Sequence, residues 1–130
     1  MIGIDTNILL RAVTRDDPAQ SAKAAAFLER CTAARPGVIN PVVLVECVWS
    51  LKRRYKAASK DIVTVVRAFL SNDGLRLLHA DCAAEAASIE EKHPGSFTDA
   101  FIAALNREAG CASTASFDKK PRSGLAFTAL

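Results

Sequence analysis

Short apolar runs alternate along this chain with longer stretches in which apolar positions recur every three or four residues. Residues 1–4 form the first apolar run and predict a strand. Asp5-Thr6-Asn7 then punctuates the pattern, and Ile8-Leu9-Leu10 with Ala12-Val13 continues it helically. Asp16-Asp17-Pro18 is a helix start, a capping acid followed by proline in the first turn, and it opens an alanine-rich helix over residues 19–34. Arg35-Pro36-Gly37 breaks that helix, and Val38-Ile39 makes a brief strand. Asn40-Pro41 starts a helix that reaches about residue 57, and Ser59-Lys60-Asp61 starts another that ends at Asn72-Asp73-Gly74. Residues 75–78 read as a strand. Asp81 is expected to cap a helix over the following residues to Lys92, and His93-Pro94-Gly95 to turn the chain. Ser96 is expected to cap a last helix that Gly110 ends, followed by strands at 112–115 and 125–127.

Short apolar strands alternating with helices imply a parallel sheet covered on both faces, because the crossover helices must pack somewhere. The predicted fold class is therefore α/β, a three-layer α/β/α sandwich with a short, mostly parallel central sheet, doubly wound through right-handed crossovers. In such folds ligands bind outside the carboxyl ends of the strands.

Composition narrows the function classes. At 130 residues, half of them hydrophobic, the chain predicts one ordered domain over 1–130. The net charge of +3 permits nucleic-acid binding without requiring it. The apolar runs are too short to span a bilayer, and residues 1–20 show no basic, then apolar, signal pattern, so a cytoplasmic protein is expected. Cys31, Cys47, Cys82 and Cys111 are scattered, and neither His79 nor His93 stands at zinc-ligand spacing from them. They read as reduced, mostly buried thiols.

Four acids carry the candidate chemistry. Asp5 ends the first apolar run, Glu46 interrupts an apolar helix, Asp99 opens the run 100–105, and Asp118 closes the segment 111–117. A carboxylate in apolar surroundings is costly unless paired. Two of them about 5 Å apart repel by roughly 3 kcal/mol at an effective dielectric of about 20. A divalent cation with a preference for hard oxygen ligands, Mg²⁺ or Mn²⁺, is the simplest compensation. Asp5 and Asp118 fall at predicted strand carboxyl ends and Asp99 in the first turn of a helix, so fold logic places these on one rim. Each acid also has a structural reading. Asp5 can be a helix N-cap. Ser96-Phe97-Thr98-Asp99 has the form of a capping box. Lys52 or Arg53 can pair with Glu46, and Asp118 can be a solvated loop residue beside Lys119-Lys120-Pro121-Arg122.

The motifs resemble, in order, those of a PIN domain, and more narrowly a VapC-type toxin ribonuclease. Ile4-Asp5-Thr6-Asn7-Ile8-Leu9-Leu10 resembles the family's opening strand and turn, and Val43-Leu44-Val45-Glu46 the helix that carries its glutamate. Phe97-Thr98-Asp99-Ala100-Phe101-Ile102-Ala103-Ala104 resembles its third acidic motif, and Gly110-Cys111 through Ser116-Phe117-Asp118 its closing strand and fourth acid. Many relatives carry a further Asp where this chain has Ser96, which can hydrogen-bond water but adds no charge.

The resemblance implies that Asp5, Glu46, Asp99 and Asp118 are catalytic and hold one or two Mg²⁺ or Mn²⁺ ions, which activate a water for in-line attack on a phosphodiester. Thr6, Asn7, Ser96, Thr114 and Ser116 would support them by hydrogen bonds. It implies cleavage of single-stranded RNA or an RNA loop, leaving 3′-hydroxyl and 5′-phosphate ends. It also implies a homodimer inhibited by a small cognate antitoxin, with the apolar helices near 19–34 and 42–51 supplying the surfaces. The run Lys52-Arg53-Arg54-Tyr55-Lys56 reads as a solvated helix end, since cations favour helix C-termini, or as a phosphate track with Tyr55 for stacking. Arg11, Arg15, Lys119 and Lys120 could extend that track.

Two other enzyme classes fit less well. A phosphoacceptor receiver domain needs an aspartate ending a central strand, and residues 48–60 offer none there. A haloacid-dehalogenase-like phosphatase needs D-x-D after the first strand, where the third residue here is Asn7. The alternative with most support is a catalytically weakened PIN domain, kept as a module that binds RNA or antitoxin.

Overall fold

The computed structural model describes residues 1–118 and 125–130. It is an α/β fold in which six helices pack with small parallel sheets. Strand β1 (Ile2–Gly3) leads into α1 (Thr6–Thr14) and α2 (Pro18–Arg30), and β2 (Gly37–Ile39) leads into α3 (Pro41–Arg53) and α4 (Ser59–Ser71). Strand β3 (Leu75–Leu77) leads into α5 (Ala80–Lys92) and α6 (Phe97–Glu108), followed by β4 (Thr114–Ser116) and β5 (Phe127–Ala129).

The first three strands form one parallel sheet in the order β1-β2-β3, with Gly3 opposite Val38 and Ile39 opposite Leu77. This is the short parallel central sheet expected from the sequence. Among the described residues β4 and β5 make a separate parallel pair, Thr114 opposite Phe127 and Ser116 opposite Ala129. Strand β1 is two residues long and exposed, so it offers its outer edge only a short row of backbone donors and acceptors.

Helix starts follow the local chemistry at α1, α2 and α3, whereas α4 (cap residue Ala58), α5 and α6 start without a side-chain cap bond. Asp17 accepts from Gln20 N–H at 3.1 Å with Pro18 at the first helical position, and Asn40 accepts from Val43 N–H at 3.0 Å with Pro41 there. Asp81, expected to cap α5, lies inside its first turn instead. His79 takes the cap position in the left-handed region (φ 59°) and makes no side-chain cap bond. Ser96 does take the cap position of α6, but its side chain makes no cap bond. At the other end of α6, Gly110 (φ 101°) closes the helix, its N–H donating to Arg107 O at 2.9 Å.

The core lies between the β1-β2-β3 sheet and the helices. Ile39, Leu75 and Leu77 from the strands, with Ile4 just after β1, meet Leu9 and Leu10 of α1 and Leu44, Cys47 and Val48 of α3. On α6 the buried positions Phe97, Ala100, Phe101 and Ala104 form one face at helical spacing. The Phe97 and Phe101 rings stand 5.7 Å apart at 56°, a tilted contact that contributes about 1 kcal/mol beyond its area. Cys47 and Cys82 are buried, Cys31 is half-buried and Cys111 is exposed, and all four are free thiols. Burial had been expected for most of them. Cys111 escapes it because it follows the end of α6 rather than lying on a core face.

Candidate active site

One rim of the molecule is built from strand ends that turn directly into helix starts. The Ile4 N–H donates to Val38 O at 2.9 Å, so β1 and β2 end side by side. Asp5 follows one and Asn40 the other. Leu78 N–H donates to Ile39 O at 2.9 Å, which brings the end of β3 and His79 to the same rim. Three parallel strands thus deliver the starts of α1, α3 and α5 together, and helix N-termini attract negative charge.

Asp5 is the N-cap of α1. One carboxylate oxygen accepts from Thr6 N–H at 2.8 Å, and the residue is exposed. The capping role and a ligand role are compatible, because the cap uses one of the two oxygens. Thr6 supports Asp5 through its backbone, while its own side chain is buried. Asn7 is exposed and lines a groove between α1 and α2 with Ile8, Arg11, Gln20, Lys23 and Phe27.

Glu46 lies on α3 and faces solvent. It borders a largely apolar groove with Pro41, Val42, Val45 and Trp49 of α3 and with Thr98 and Leu105 of α6. Asp99, the residue after Thr98, is half-buried in the first turn of α6. The structure therefore brings the α3 acid and the start of α6 to opposite walls of one groove. The Glu46 carboxylate also acts on its neighbour: burial, and then that charge, push the Cys47 thiol up to about 12, so it stays protonated. The basic residues expected to neutralise Glu46 are engaged elsewhere. Lys52 donates to Glu90, and Arg53 lies over the Trp49 ring at 5.3 Å.

Asp118 is exposed just past β4, where its N–H donates to the Ser116 hydroxyl at 3.1 Å. Thr114 accepts from the Asn106 side chain at 3.0 Å. Among the described residues, no three His, Cys, Asp or Glu side chains stand close enough together to hold a metal ion. The donor types still suit one, since carboxylates are the hard oxygen ligands that Mg²⁺ or Mn²⁺ requires.

The basic candidates divide. Arg11 is held by Asp16 at 2.8 Å and Gln20 at 2.6 Å, and Tyr55 donates its hydroxyl to Asp16 at 2.7 Å. The Tyr55 hydrogen bond is the main reason that the Asp16 carboxyl falls to about 2. Tyr55 is thus half-buried and tied down rather than presented for stacking, with Arg54 over its ring at 5.6 Å. Arg15, at the left-handed end of α1, and Arg53 are exposed. Lys119, with Lys120 and Arg122, lies outside the described residues.

The residue that sequence reasoning missed is Glu90. It is fully buried on α5 and receives four hydrogen bonds at its carboxylate. Oε1 accepts from Lys52 Nζ at 2.8 Å and Phe97 N–H at 2.9 Å. Oε2 accepts from Ser59 Oγ at 2.6 Å and Gly95 N–H at 2.8 Å. Burial pushes this carboxyl up, and the bonds from Lys52, Ser59, Gly95 and Phe97 outweigh it, so the net direction is downward. The Ser96 side of the expected capping box is not formed: the Ser96 N–H goes to His93 O at 3.2 Å and its hydroxyl makes no cap bond, while Glu90 holds the next N–H, that of Phe97. In sequence Glu90 is one of a pair, Glu90-Glu91, which reads as a solvated helix face. The signal that could have separated them is its place on the apolar stripe of Ala83, Ala86 and Ala87, at three-, four- and seven-residue spacing.

Residues 2–123 match the family model described as the PIN domain, which is nearly the whole chain, and the protein belongs to that family. A comparison with curated proteins gives no match. No helix among the described residues is long and apolar enough to cross a membrane.

Proposed function

We propose that this PIN-domain protein is a metal-dependent endoribonuclease that hydrolyses RNA phosphodiester bonds as the toxin of a toxin–antitoxin pair. The observation that carries the reading is the groove with Glu46 on its α3 wall and Thr98, next to Asp99, on its α6 wall, in a chain of this family. Asp5 lies at the end of β1, beside the start of the helix that carries Glu46. Asp5, Glu46 and Asp99, with Asp118, would hold Mg²⁺ or Mn²⁺. Such an ion supplies Lewis-acid stabilisation of the phosphoryl oxygens and lowers the pKa of attacking water.

The chain's own residues contribute placement and charge. The Asp5 cap fixes the start of α1, and the Asn40 cap fixes the start of α3, whose second turn carries Glu46. The exposed Arg53 and Arg15 offer cations for the RNA backbone. Val42 (74 % exposed), Trp49 (53 %) and Ile102 (41 %) form apolar surface on α3 and α6 that suits a second copy of the chain or an antitoxin.

A second reading has an observation behind it. Ser96 stands where many relatives have an acid, and no three acids among the described residues are gathered tightly. A weakened domain that binds RNA or antitoxin without cutting follows from that. The test that separates the two is cleavage of total RNA by the purified, antitoxin-free chain with Mg²⁺ or Mn²⁺, against an EDTA control and the Asp5→Asn and Asp99→Asn variants, with the cut ends sequenced. Metal-dependent cuts lost in both variants support the nuclease. RNA retention without cuts supports the binding module.

A further inference from the structure

We infer that Glu90, through Lys52, is a positioning residue for the two acid-bearing helices, a role that rests on the nuclease reading above. Its carboxylate is the point at which α3, α4, α5 and α6 meet. Lys52 reaches it from α3, Ser59 from the first residue of α4, and the N–H groups of Gly95 and Phe97 from the turn that opens α6. Neither α4 nor α6 has a side-chain cap from its own cap residue, Ala58 or Ser96. Glu90 takes over that function at α6, holding the N–H of the first helical residue.

The consequence for the site is geometric. Phe97 lies two residues before Asp99 in the same first turn, so the bond that fixes Phe97 also fixes the angle at which Asp99 leaves the helix. Lys52 lies six residues after Glu46 on α3, about 240° around the helix. The ion pair therefore holds α3 from the side away from Glu46 and leaves the Glu46 face open to the groove. One carboxylate thus sets both walls, and with them the separation of Glu46 and Asp99. Buried partners that orient metal-holding side chains commonly change metal affinity or activity by about 10- to 100-fold when removed.

A purely structural glutamate would affect folding and leave the folded site unchanged. Trp49, the one tryptophan of the chain, offers a readout besides activity. It stands one helical turn from Glu46, on the same groove, where a bound Mn²⁺ quenches indole emission. The experiment compares the wild-type chain with Glu90→Gln, Lys52→Met and Lys52→Arg. The double variant Glu90→Gln/Lys52→Met removes both charges, so it keeps the test available if Lys52→Met alone does not fold. Arg67→Gln, which breaks the exposed Arg67–Glu91 pair next door, is the control.

Mn²⁺ affinity is read from Trp49 quenching, and kcat and KM from RNA cleavage. The expected result is a fall of about tenfold or more in Mn²⁺ affinity and kcat for Glu90→Gln, Lys52→Met and the double variant, with KM for RNA within about twofold. Lys52→Arg should restore most of the loss, and Arg67→Gln should match wild type. Folded Glu90 and Lys52 variants with wild-type Mn²⁺ affinity and kcat overturn the positioning role and leave the nuclease standing. A wild type that neither binds Mn²⁺ nor cuts overturns the nuclease reading and the positioning role together.

Discussion

Asp5 and Asn40 are neighbouring caps: each lies two residues beyond the paired Gly3 and Val38, and each opens a helix with its side-chain oxygen. The adjacency of β1 and β2 places the start of α1, with its acid, beside the start of α3. Asparagine and aspartate cap helices about equally well. Asp5→Asn should therefore leave stability within about 0.5 kcal/mol of wild type while abolishing cleavage. Asn40→Ala should cost about 1 kcal/mol. Urea denaturation run beside the cleavage assay checks both. An Asp5→Asn variant that cuts normally removes Asp5 from the site.

Gly74 is a position at which the fold admits no side chain. A Cβ there would lie 2.2 Å from the Cys31 carbonyl oxygen, a backbone atom that cannot swing aside. Its N–H is held by Asn72 at 2.8 Å and its carbonyl accepts from Gly37 N–H at 2.9 Å, so the glycine itself is pinned. Gly74→Ala should destabilise by about 3 kcal/mol, read from the shift in urea midpoint. A shift under a quarter of that would mean the loop after α2 yields easily.

Glu90 makes stability depend on pH in a definite direction. Its folded-state pKa lies below the ordinary value of 4.5. The stabilisation is fully present above that value and is lost as pH falls through the folded pKa. The exposed carboxyls of Asp16, Glu91 and Glu108 are lowered as well, so wild type alone does not isolate the effect. The stability gap between wild type and Glu90→Gln does. It should be widest at neutral pH and narrow below about pH 4 in denaturation series. A gap that stays constant to about pH 3 would exclude Glu90 as its source.

Trp49 and Phe101 should respond very unequally to truncation. Phe101 is fully buried, and Phe101→Ala should cost about 3–5 kcal/mol. Trp49 is 53 % exposed with Arg53 over its ring, so Trp49→Ala should cost about 1 kcal/mol at most. Thermal denaturation of the two variants is the check, and a Trp49→Ala loss as large as that of Phe101→Ala would mean that the α3 face is packed.

Much of the fold was legible because it is written locally. Asn40-Pro41 and Asp17-Pro18 mark helix starts by capping and by proline geometry, and the Phe97, Ala100, Phe101 and Ala104 stripe marks a buried face by its period. The strands at 37–39 and 75–77 were bounded by turn residues on both sides. The α6 start at Ser96 was legible, but the capping box that Ser96 and Asp99 offer by spacing was not formed, because the Ser96 N–H goes to His93 O and its hydroxyl makes no cap bond. The strand order, and the pairing of β4 with β5 apart from β1-β2-β3, were not legible because they are set by which edges meet in space.

The sequence by itself determined the α/β class, the order of elements and the candidate acids Asp5, Glu46, Asp99 and Asp118, since periodicity and caps depend on neighbours along the chain. The tertiary structure alone decided that Lys52 serves Glu90 rather than Glu46, that Tyr55 and Arg11 are tied to Asp16, and that Glu46 and Thr98 share a groove. Those pairings join residues far apart in sequence. Hydrogen bonds and ion pairs act over about 3 Å, and only packing brings such residues that close.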